Sequence, residues 1–218
     1  MCCADTKSEK RNPARTVWDF SYEGTSRSLE ESLGRLGLGG VEIAFLHEPP
    51  DGYLRQAVEE GYRALRDLRQ ANTVRAVGVG WDRVDVMARL VAELDFGCVL
   101  VAGRYTLLDQ SAMAMLLPAC VDRMVAVVAG CVFNSGILAD PSATYDYVPA
   151  QRDVMERVRR MTEICDRWSA PLKAVALQFP LGHEAVAGIV LGMRTLGELE
   201  ENLGLLDFAV PPGLWREL

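Results

Sequence analysis

From residue 25 onward the chain alternates short apolar runs with amphipathic stretches of helical period, and no other feature restricts its fold as tightly. Thr25 can cap a helix over 25–36, in which Leu29, Leu33 and Leu36 recur at helical spacing, and Gly37, Gly39 and Gly40 end it. The run 41–46 then reads as a buried strand that stops at His47-Glu48-Pro49-Pro50-Asp51. The unit repeats. Helices are expected at 53–71, 84–94, 109–122, 152–168, 171–179 and 195–206, and strands at 74–80, 96–102, 124–129 and 186–191, with a long loop over 131–150. Pro171 suits the first turn of its helix, where a missing N–H costs nothing.

Strands joined through a helix must run parallel, because the crossover returns the chain to the same end of the sheet. Five such strands are visible. A doubly wound sheet and a (β/α) barrel both fit this pattern, and periodicity does not separate them. The absence of GxGxxG after the first strand counts modestly against a dinucleotide-binding Rossmann unit. In both architectures ligand chemistry belongs at the carboxyl ends of the strands. That rule selects His47, Gly80-Trp81-Asp82, Gly103-Arg104-Tyr105, the stretch 130–136 and Gly192-Met193-Arg194.

Composition narrows the function classes. With 23 basic and 30 acidic residues the net charge is −7, which does not favour a phosphate backbone, so no nucleic-acid partner is expected. No window approaches the roughly 18 unbroken apolar residues of a membrane span, and the polar start lacks a secretory h-region. The expected compartment is therefore the cytoplasm. Cys2, Cys3, Cys98, Cys120, Cys131 and Cys165 show no metal-ligand spacing with His47 or His183, so no metal site is expected and the cysteines read as free, packed thiols.

Several separated motifs carry a family resemblance. They are Asp19-Phe20-Ser21, 27–33 with 35–38, His47-Glu48-Pro49-Pro50-Asp51, 102–110, 134–140, Leu172-Lys173-Ala174, Gln178-Phe179-Pro180, Glu200-Glu201-Asn202 and Leu214-Trp215. In this order the chain from about 17 to 218 resembles the aldo/keto reductases, most closely the aldose 1-dehydrogenase and pyridoxal dehydrogenase branch. The resemblance implies an α/β fold, a (β/α)8 TIM-type barrel. Here it is expected to be incomplete, with five or six parallel strands, lacking the first two βα units. Residues 1–16 are expected to form an N-terminal segment, read as a remnant strand, ahead of a barrel domain over 17–218.

The resemblance also assigns roles. His47 matches the family's catalytic histidine, and Thr6-Lys7 imitates the pair that holds its catalytic lysine. The family's catalytic aspartate and tyrosine come from the region before residue 17. Tyr22 and Arg104 are the remaining candidates for polar catalytic contacts. Asn134, Ser135, Gly136 and Leu138 correspond to the segment over a cofactor pyrophosphate. Gly192, Met193 and Arg194 open the last helix, where free N–H groups favour phosphate. Glu201 and Asn202 match adenine contacts, and Trp81, Tyr105 and Phe133 are expected to line a substrate pocket. Trp81-Asp82 and Phe133 depart from the family's nicotinamide side, so the cofactor is expected to be absent or vestigial; Glu198 stands where many NADPH-dependent members carry an arginine, so NAD is favoured over NADP if one binds.

Three functions follow as alternatives. The first is a small-molecule enzyme remodelled for proton transfer (isomerisation, elimination or cyclisation), with His47 as acid/base. The second is an NAD(P)-dependent oxidoreductase of an aldose-like or other carbonyl substrate, and the third is a non-catalytic binding module. The open strand edges of an incomplete barrel lead to the expectation of a homodimer.

Overall fold

The computed structural model describes residues 17–140 and 142–218. Helix α1 (Tyr22–Leu36) starts three residues before the point expected, because Ser21 rather than Thr25 caps it. The Ser21 hydroxyl accepts the Gly24 N–H at 3.0 Å, and the Asp19 carboxylate in turn binds the Ser21 N–H and O–H. Gly37, at φ 66°, closes the helix in the left-handed conformation.

Strand β1 (Val41–His47) follows, then the single turn α2 (Leu54–Gln56) and helix α3 (Tyr62–Gln70), joined by a π turn at Ala57–Gly61. Strand β2 (Val74–Trp81), helix α4 (Val84–Glu93) and strand β3 (Cys98–Ala102) continue the alternation. The helix expected over 109–122 is instead a 3-10 turn at Ser111–Ala114 and a shorter α5 (Leu116–Asp122). Asp109 accepts the Ser111 N–H, and Met115 leaves helical geometry at φ −139°, which breaks the run. Strand β4 (Ala126–Gly130), α6 (Arg152–Arg167), α7 (Leu172–Gln178), β5 (Val186–Val190) and α8 (Leu196–Leu206) complete the order.

All four strand pairings are parallel and the spatial order is β1-β2-β3-β4-β5. A doubly wound sheet reverses direction at a switch point, whereas this sequential order does not. The described strands are therefore a segment of TIM-type barrel wall, with β1 and β5 as its edges.

Side chains alternate across this wall. Val77, Val79, Trp81, Val99, Val101 and Val127 face the helices and form the main core with Met87, Leu90, Leu116 and Leu117. A second cluster joins Leu107, Leu108, Ile137 and Leu138 to α6, α7 and Leu214. The inner face carries Phe45, Gly78, Gly80 and Leu100. At Gly78 an added Cβ would sit 1.7 Å from the Cys98 carbonyl oxygen and 3.2 Å from the Phe45 ring. Only glycine permits this approach of β2 to β3.

Candidate active site at the barrel mouth

The carboxyl ends of β2, β3 and β4 meet the long loop after β4 around a cavity of about 130 Å³. Its charged and polar lining consists of Glu48, Asp82, Arg104, Ser135, Asp146 and Tyr147, together with Asn134 beneath. Arg104 is the hub. Its guanidinium pairs with Asp146 at 3.0 Å, Asp82 at 3.2 Å and Asp109 at 3.3 Å. Burial alone would make the cation less favourable, but the carboxylates of Asp146, Asp82 and Asp109 outweigh it and hold Arg104 firmly charged. Burial likewise opposes ionisation of Asp109, yet the Ser111 N–H and the Arg104 guanidinium keep its carboxyl below the usual range.

Asn134 sets the floor. It is buried, its Nδ2 donates to the Gly103 carbonyl at 3.1 Å, and its Oδ1 accepts the Thr106 hydroxyl at 2.6 Å. Thr106 passes the order on by accepting the Leu108 and Asp109 N–H groups. The loops after β3 and β4 are thus one hydrogen-bonded unit. The loop after β4 also holds Cys131, Asn134, Ser135, Asp146 and Tyr147 at positive φ, a concentration of backbone cost at the cavity wall.

His47 stands at the mouth end of β1 and faces the barrel interior, since a Cβ on Gly80 would lie 3.6 Å from its Cδ2. It is exposed and lines the groove between β1 and α1 rather than the mouth cavity. Arg104 reaches the mouth as expected, but its guanidinium is committed to three carboxylates and is not a vacant anion receptor.

Three expected contacts lie elsewhere. Tyr22 is in the seam between α1 and α3, with its hydroxyl on Asp67 at 3.3 Å and the Arg63 guanidinium over its ring. Trp81 follows the strand alternation onto the outer face, into the helix-covered core, with Arg83 stacked 5.2 Å from its ring centre. Tyr105 is buried against Phe179 and His183, at ring separations of 5.4 and 5.7 Å, so it too belongs to packing and not to the cavity wall. Lys7 lies outside the described residues.

The cofactor candidates divide into two groups. In the loop Asn134–Leu138 most polar groups are already used. The Asn134 side chain is spent, Gly136 and Leu138 donate their N–H groups to the Phe133 carbonyl, and Leu138 is packed in the second core. Among the described residues only the Ser135 N–H in that loop has no backbone acceptor. Gly192, Met193 and Arg194 are exposed ahead of α8, but Glu198 accepts the Arg194 N–H at 2.6 Å while Thr195 caps Glu198 at 3.1 Å. This capping box places an internal carboxylate at the helix N-terminus. The Arg194 N–H in particular holds the Glu198 carboxyl below its ordinary range.

The other group is less complete. Lys173 of α7 pairs with Glu201 at 2.6 Å and lies 5.8 Å from the Phe133 ring centre, so Phe133 borders this ion pair and not the mouth cavity. Beside Glu201, Asn202 is 5% exposed and its Oδ1 has no hydrogen-bond partner among the described residues. A buried polar atom without a partner costs free energy, which makes Asn202 a candidate contact for a water or a bound group.

Two residues of the mouth, Asp146 and Tyr147, were not selected from the sequence. Their only sequence signal is the acidic and aromatic run Tyr145-Asp146-Tyr147 inside a long polar loop. The cysteines also depart from expectation at one position. Cys98, Cys120 and Cys165 are free and buried, with burial pushing their thiols up to about 11, 12 and 11, whereas Cys131 is disulfide-bonded. Cys131 sits on the half-buried loop wall, where a second thiol can reach it. No helix among the described residues is long and apolar enough to cross a membrane, and no group of side chains there could hold a metal ion.

Residues 5–217 match the model of the aldo/keto reductase family. The chain is 37% identical over 208 residues to D-threo-aldose 1-dehydrogenase of a Pseudomonas species and 35% identical over 218 residues to pyridoxal 4-dehydrogenase of Microbacterium luteolum. Each match covers 94% of this chain, which spans 63% of the length of either relative. Among solved structures, an aldo-keto reductase of Bacillus halodurans in its holo form superposes with a TM-score of 0.74 at 21% identity. That match covers 92% of this chain and 67% of the other.

Proposed function

The chain belongs to the aldo/keto reductase family, and we propose that it serves an oxidoreductase reaction on a small aldose-like carbonyl compound with a nicotinamide dinucleotide, NAD in preference to NADP. The observation that carries this reading is the orphaned Oδ1 of buried Asn202 beside the Lys173–Glu201 pair and the Phe133 ring. An amide in that position can accept from the exocyclic amine of an adenine, and an aromatic ring with an ion pair suits a flat polar base. The internal carboxylate of Glu198 would repel a ribose phosphate but can accept a ribose hydroxyl, which favours NAD. The bound dinucleotide would supply the hydride chemistry. The chain's own part is to hold the adenosine end at α8, to orient a polar substrate in the mouth, and to place the His47 imidazole at its rim.

A second reading keeps the mouth and omits the cofactor: a proton-transfer enzyme in which His47 and the mouth carboxylates exchange protons with the substrate. The concentration of Glu48, Asp82 and Asp146 around one cavity supports it. We also propose that two copies associate to cover the open strand edges, where Ile43 and Val190 are exposed.

Calorimetry with NAD and NADP separates the two readings. The first expects NAD to bind at least about tenfold tighter than NADP, a difference of about 1.4 kcal/mol. It also expects Asn202→Leu to abolish binding while leaving the melting temperature unchanged or higher, because an unpaired buried amide is removed. No binding of either dinucleotide at millimolar concentration would sink it.

A further inference from the structure

The mouth cavity has an uneven inventory of hydrogen-bonding groups. Among the described residues Glu48, Asp82 and Asp146 present carboxylates to it, against the one guanidinium of Arg104. That guanidinium is already shared among Asp146, Asp82 and, from outside the cavity, Asp109. Each of Asp82 and Asp146 uses only its Oδ2 on Arg104, which leaves a second oxygen. Glu48, held at φ 43° just past β1, has no ion pair or side-chain hydrogen bond among the described residues. The Ser135 hydroxyl oxygen is itself an acceptor, from the Tyr147 N–H at 3.2 Å. Among the described residues the cavity therefore offers many acceptors and negative charge, and the one cationic donor among them is engaged.

A ligand that fits such a wall brings donors and positive charge. Ionised carboxylates only accept, an ammonium has three donors and no acceptor, and hydroxyls can do both. A carboxylate or phosphate on the ligand would meet Glu48, Asp82 and Asp146 without a vacant guanidinium to receive it.

We propose that the mouth cavity selects small polyhydroxylated substrates bearing a protonated amine, of amino-sugar type, over neutral sugars and against sugar acids. The inference rests on the reading that substrate enters at the mouth, and it goes beyond the aldose-like carbonyl class in specifying charge. Glu48, Asp82 and Asp146 would surround the ammonium, while the remaining hydroxyls take the acceptors left on Ser135 and the loop backbone.

Three probes with one ring skeleton test it: glucosamine, glucose and glucuronate, titrated into the whole chain at about pH 6, where the amine is charged. Glucosamine is expected to bind at least tenfold more tightly than glucose, and glucuronate more weakly than both. Raising the salt concentration should narrow the gap between glucosamine and glucose. Glu48→Gln, an exposed position with no ion pair among the described residues, whose melting temperature serves as the folding control, should remove most of the glucosamine advantage by weakening glucosamine much more than glucose. Equal binding of glucosamine and glucose, a preference for glucuronate, no binding by any probe, or a Glu48→Gln protein with the full preference would each overturn the proposal. NAD binding, measured on the same samples, is independent. An amine preference without NAD binding defeats the oxidoreductase reading alone, and NAD binding without an amine preference defeats this inference alone.

Discussion

The middle of the sheet and its two margins are built from the same kinds of residue but solve different problems. Strands β2, β3 and β4 are covered on the helix side and largely shielded on the other, so Val77, Val79, Val99 and Val127 lose all contact with solvent. Strands β1 and β5 have the same apolar character, yet Ile43 remains 40% and Val190 38% exposed. Among the described residues the margin strands have a neighbour on one side only, and their side chains therefore bury less apolar area. The central strands are where the fold is stabilised, while the margins are where it can still accept a partner or be altered cheaply.

The contrast yields a graded set of outcomes. Gly78→Val attacks the centre most directly, because its Cβ would overlap the Cys98 carbonyl. A loss of about 3 kcal/mol or more is expected, read as loss of a cooperative thermal transition in circular dichroism. Met87→Ala, emptying a fully buried site under the sheet, is expected to cost about 2–5 kcal/mol in urea unfolding. Asn134→Ala breaks the bridge between the loops after β3 and β4 and leaves the Gly103 carbonyl unsatisfied, for about 1–3 kcal/mol by the same assay.

Acid should separate the mouth from both core and margins. Asp109 has a folded pKa below its unfolded value, so its contribution is fully present above about pH 4 and is lost as pH falls through the depressed folded value. Asp109→Asn is therefore expected to lower stability at pH 7 by about 1–2 kcal/mol and to flatten the acid limb of the stability curve. An unchanged acid limb would remove Asp109 from the mouth's electrostatics. The smallest effect belongs to the margin. Ile43→Lys is expected to change stability by less than about 1 kcal/mol while weakening the proposed self-association in sedimentation, and a cost like that of Met87→Ala would put the margin on a par with the centre.

Much of this architecture was legible before any coordinates. The apolar runs at 41–46 and 74–80 and the heptad-like leucines of α1 name their elements, since strand and helix periods differ and few alternatives satisfy both. The boundaries were less legible. Ser21 takes the cap of α1 from Thr25 because Asp19 orients it, a local competition in which both residues are acceptable caps. At the site, strand-end position pointed to His47, Arg104 and Asn134, of which Arg104 and Asn134 line the mouth cavity and His47 the groove between β1 and α1. It could not say that Asn134 spends its amide on Gly103 and Thr106, or that Arg104 is saturated. Trp81 shows the other kind of miss, because one step along β2 changes the face, and the neighbouring Gly80 took the interior position.

What the sequence by itself determined is the order of the elements and their parallel sense, because these follow from periodicity and from the crossover each helix makes. The tertiary structure alone decided that the sheet winds in one direction, that Asp82, Asp109 and Asp146 converge on Arg104, and that Asn202 is buried without a partner. The physical reason is range. Helical and strand periods act over a few residues, whereas an ion pair or an orphaned amide depends on which distant segments the packing brings within about 3–4 Å.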